Sequence, residues 1–119
     1  MHRWEISIDN HESRRKVALM EGRARPAEAP EDSETEFSLT LYSDQISLNI
    51  PASTIGRKFI QRLMQILGPP RMEPTVKCSC SWGDGVMGAM LLVLWDCSKE
   101  NQGLQDLFAF LGVVPASLK

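Results

Sequence analysis

Ten consecutive uncharged residues, Val86 to Trp95, follow the triplet Gly83-Asp84-Gly85 and constrain this chain more than any other segment. Ten residues are about half of the ~20 that a helix needs to cross a bilayer, so a membrane span is not expected. Read as a strand, the run is apolar on both sides. Met87, Ala89, Leu91, Val93 and Trp95 alternate with Val86, Met90, Leu92 and Leu94. An antiparallel sheet that is open to water on one side alternates apolar with polar residues, so this strand calls for cover on both faces. Two helices supply one cover; the sheet curling on itself, the N-terminal segment, or a second protein chain would have to supply the other.

The glycines of the same stretch raise a second reading. Gly83, Gly85 and Gly88 have the G-x-G-x-x-G spacing of a dinucleotide-binding turn, which needs a buried parallel strand before it and a helix after it. The leading segment alternates instead, from Val76 through Trp82, and only 31 residues follow Gly88. That is too short for the rest of a mononucleotide-binding unit. A hairpin is expected, with Asp84-Gly85 as a type I′ turn. A two-residue turn there would pair Trp82 with Met87, Cys80 with Ala89, Cys78 with Leu91 and Val76 with Val93.

The cysteines are then structural. Cys97 falls six positions beyond Leu91, about 20 Å from Cys78 at ~3.3 Å per residue. Zinc coordination places sulfur about 2.3 Å from the metal, so no metal site is expected from this set. Three cysteines also make a poor disulfide framework. With no basic-then-apolar stretch at the start of the sequence, a reducing, cytoplasmic setting is the expectation.

Elsewhere, periodicity sets the elements. Trp4, Ile6 and Ile8 alternate with Arg3, Glu5, Ser7 and Asp9 as a half-buried strand. Val17 and Leu19 alternate as a second strand joined to the first through residues 9–13, although Ala18, Leu19, Met20 and Glu21 are also good helix formers. Residues 25–36 carry two prolines, five acidic residues and no aliphatic side chain larger than alanine, which predicts a mobile acidic loop. Phe37, Leu39 and Leu41, then Ile46, Leu48 and Ile50 around Ser43-Asp44, give the clearest hairpin. Ser53 is a candidate N-cap for a helix over 54–67 stopped by Gly68, with Ile55, Phe59, Leu63, Ile66 and Leu67 on its core face. Leu104, Leu107, Phe108 and Leu111 mark a last helix, stopped by Gly112.

The expected fold is therefore a single α+β domain over 1–119. It is two-layered, a mainly antiparallel sheet in the order ββ-loop-ββ-α-ββ-α with two helices packed on one face.

Chemistry is sparse in this pattern. Neither His2 nor His11 has a specified partner, and Asp9, Asp44, Asp84 and Asp96 are placed at strand ends, where carboxylates commonly serve turns. No catalytic group and no cofactor are expected. The 43% hydrophobic and 24% charged composition with a net charge of −2 fits an ordinary globular domain. Residues 26–53 hold six acidic and no basic groups; 54–77 hold Arg57, Lys58, Arg62, Arg71 and Lys77 against Glu73 alone.

These features give a leading expectation of a small protein-binding factor, with another protein, a second copy in a homodimer included, as its partner. Glu31, Asp32, Glu34, Arg57, Lys58, Arg62, Met90 and Leu92 are the candidate contact residues. The first rival is a nucleic-acid accessory protein gripping phosphates through Arg57, Lys58, Arg62 and Arg71. The second is an enzyme or small-ligand binder with a pocket beside Trp82 and Trp95.

Overall fold

The computed structural model describes residues 3–14, 17–28, 34–42, 44–82, 86–96 and 102–112, and the side chains within them except at 9–14, 17–18, 77–82, 86–88 and 102. The elements are β1 (Trp4–Arg14), β2 (Val17–Pro26), β3 (Thr35–Leu41), β4 (Gln45–Pro51), α1 (Thr54–Leu67), β5 (Thr75–Trp82), β6 (Val86–Asp96) and α2 (Gln102–Leu111). All six strands form one sheet in the order β1-β2-β3-β4-β6-β5, with every neighbouring pair antiparallel. This is the expected α+β layout.

One crossover organises the sheet. The chain leaves β4 through α1, lands as the edge strand β5 and returns as β6 between β4 and β5. The strand with two apolar faces thus takes an interior position, with a hydrogen-bonded neighbour on either side.

The core follows from the register. Met20, Leu39, Leu48 and Val93 form one row across four strands, and Leu41, Ile46 and Trp95 form part of the next. These side chains are 6% exposed or less, as are Phe59, Ile60 and Leu63 of α1 and Leu107, Phe108 and Leu111 of α2. Both helices therefore pack on the same face. Phe59 sits at the centre of that layer, with ring centroids 5.2 Å from Trp4, 5.0 Å from Phe37 and 6.0 Å from Phe110.

Local signals explain the ends of α1. Ser53 Oγ accepts a hydrogen bond from the Gly56 amide at 2.9 Å, satisfying one of the helix's free N–H groups. At the other end Gly68 adopts a φ of 89°, a conformation that side chains disfavour, while its amide still donates to Met64 O. The expected core face of α1 is shifted slightly: Ile60 is buried, whereas Ile55, Ile66 and Leu67 are half-buried.

Three expectations need correction. β1 runs to Arg14, so residues 9–13, Asp9 included, belong to the strand and only residues 15–16 connect it to β2. The acidic segment is shorter than expected, because residues 25–26 end β2 and 35–36 begin β3. Residues 29–33 lie outside the described set. The β5–β6 register differs by one residue: Trp82 pairs with Val86, Cys80 with Gly88 and Cys78 with Met90, which leaves residues 83–85 as the connection. A bulge between Val76 and Cys78 then pairs Val76 with Leu91. A three-residue connection in place of a two-residue turn changes every facing pair.

Candidate functional site

The two faces of β6 meet different surroundings. Leu91, Val93 and Trp95 are 2% exposed or less, beneath the helices. Met90, Leu92 and Leu94, on the other face, are half-buried. Across the ladder Leu92 lies between Asn49 of β4 and Thr75 of β5, and Met90 lies between Pro51 and Cys78. Leu94 pairs with Ser47, which is itself buried. Neighbouring strands thus border these three positions on either side. Among the described residues, no helix or strand packs over this face.

Towards β1 the same face becomes polar. Asn49 continues to Ser38 and Glu21 along one row. Arg25 donates to Glu5 at 2.7 Å, and Arg23 lies 3.9 Å from Glu34. The open face is therefore charged over β1 and β2, polar over β3 and β4, and apolar over β6. At the β5 side of the sheet Val76 and Met72 are 59% and 53% exposed. Together with Tyr42, at 43%, they are the exposed large hydrophobic side chains among the described residues; the sequence had marked neither Met72 nor Tyr42. Tyr42 was readable in principle, since it stands two positions beyond Thr40, on the side of β3 that alternates polar.

Both sheet edges carry features that discourage pairing with another strand. The register of β1 shifts between Ile8 and Asn10, and that of β5 between Val76 and Cys78. Such bulges bend and twist an edge away from a flat template.

The basic residues expected to act together are divided. Arg57 and Lys58 are exposed near the N-terminal end of α1, whose first turn holds no acidic residue. Arg62 is drawn between the helices instead: its guanidinium lies 5.3 Å from the centroid of the Phe110 ring, and Nη1 donates to Gln65 at 2.8 Å. Its Nε is buried without a hydrogen-bond partner. Arg71 is bound at the end of β6, where Nε donates to Asp96 at 3.0 Å and Nη2 pairs with the same oxygen. The hydrogen bond and the charge of Asp96 both raise the Arg71 guanidinium above its ordinary range. Two of the four residues expected to grip phosphate, Arg62 and Arg71, thus already have partners within the chain.

Arg71 belongs to a strap over residues 68–74 that ties α1 to the sheet. Its amide donates to Leu94 O at 2.7 Å, and Trp95 Nε1 donates to Gly68 O at 2.9 Å. Trp95 is accordingly a core residue, 1% exposed. Val86, the partner of Trp82, lies nine positions away along β6, or about 30 Å at ~3.3 Å per residue. Positions 82 and 95 therefore lie at opposite ends of β6. An open cavity of about 390 Å³ lies elsewhere, lined by Glu34, Thr35, Glu36, Pro51 and Ser53 at the start of α1.

Of the acidic candidates, Glu34 is exposed beside Arg23, while Glu31 and Asp32 fall outside the described residues, as does Cys97. Among the described residues no three His, Cys, Asp or Glu side chains are grouped to hold a metal, and no helix is long and apolar enough to cross a membrane. Comparison with protein-family models, curated proteins and solved structures finds no match for this chain.

Proposed function

We propose that this protein is a small non-enzymatic binding factor, of adaptor, inhibitor, immunity or chaperone type, which recognises another protein through the open face of β6. The single observation that carries this reading is the unequal cover of that strand. Leu91, Val93 and Trp95 are sealed beneath helices, while Met90, Leu92 and Leu94 remain half-buried on a face with no described element above it. Completing the burial of a large apolar side chain contributes up to about 1.5–3 kcal/mol, so three neighbouring ones form a useful anchor for a partner. Residues Glu31, Asp32 and Glu34 add a negatively charged contact for a basic region of that partner. A second copy of the chain is one partner of this kind, and a cytoplasmic setting belongs to the same reading.

The test is capture from the native host with the intact chain, with Leu92→Lys and with residues 29–33 deleted. A stoichiometric protein held by the intact chain and lost with Leu92→Lys supports the proposal, provided both chains melt at similar temperatures. Equal capture by the two chains overturns it. The deletion reports separately on the acidic contact.

Exposure of Arg57 and Lys58 at the positive end of α1 favours one second reading, contact with nucleic-acid phosphates. Each phosphate neutralised contributes about −0.9 to the slope of log affinity against log salt. With Arg62 and Arg71 engaged elsewhere, a grip through Arg57 and Lys58 gives a slope near −2. Absence of DNA and RNA binding at low salt removes this reading.

A further inference from the structure

We draw no further inference here: the strongest candidate, the outer edge of β5 with exposed Val76 paired with Leu91 of β6 on the face opposite Met90 and Leu92, is a single exposed apolar side chain at a sheet edge, and nothing in the structure shows what covers it.

Discussion

Trp95 combines two roles at one position, since it is among the largest fully buried side chains and its indole N–H is donated to Gly68 O at 2.9 Å. The first role anchors β6 in the core; the second fixes the start of the strap that leads to β5. Trp95→Phe removes the donor, worth about 1 kcal/mol, and leaves part of the indole volume unfilled. A loss of about 2–3 kcal/mol in urea unfolding is expected from the two effects together. Met72→Ala, at a side chain 53% exposed, serves as the control and should stay within about 0.5 kcal/mol of the parent. Gly56 makes an opposite argument from propensity. Glycine inside a helix is ordinarily improved by alanine, by up to about 1 kcal/mol. Here a β-carbon would lie 2.1 Å from the carbonyl oxygen of Pro51, so α1 would have to move away from the end of β4. Gly56→Ala should therefore lower the unfolding midpoint, and a raised midpoint would mean that helix and strand approach less closely than described.

At the scale of elements, signals confined to a few adjacent residues were legible and those set by pairing were not. Ser53 and Gly68 bound α1 as the sequence indicated, because a cap is a contact between residues three or four apart. Ser53→Ala should cost about 1 kcal/mol in chemical denaturation, and Ser53→Asp should retain most of that contribution. The hairpin of β3 and β4 was equally readable from its two runs of alternation around Ser43-Asp44. The β5–β6 register was not. A turn of two residues and a connection of three are close in sequence, and a one-residue slip replaces Leu91 by Met90 as the partner of Cys78. The far half of β1 was missed for a related reason: beyond the bulge at Ile8 and Asn10 its residues no longer alternate, and only backbone pairing with β2 makes them a strand. Arg62 shows the limit for side chains. Its place on a basic helix face was legible, but the pull of Phe110 depends on how α2 packs against α1.

For the whole molecule, the two apolar faces of β6 were evident from the sequence, whereas the position of the strand within the sheet was a property of the crossover. Inserting β6 between β4 and β5 gives Leu92 polar flanks in Asn49 and Thr75, so the apolar stripe is bordered on both sides at its centre. Such a stripe is tolerable in an isolated domain, because soluble proteins expose limited apolar patches, and it is also suited to a partner. Paired substitutions on the two faces of β6 separate these cases. Leu91→Ala empties a fully covered site and should cost about 2–5 kcal/mol at any protein concentration. Leu92→Lys places a charge on the uncovered face, where the lysine can extend its ammonium group into water, so the monomer should lose no more than about 1 kcal/mol. If the stripe joins two copies, the intact chain gains stability with concentration by mass action, and Leu92→Lys abolishes that dependence. Thermal melts of the three chains over a hundredfold concentration range provide the measurement. A loss for Leu92→Lys as large as that for Leu91→Ala, at the lowest concentration and without any concentration dependence, would mean that the chain itself covers both faces of β6.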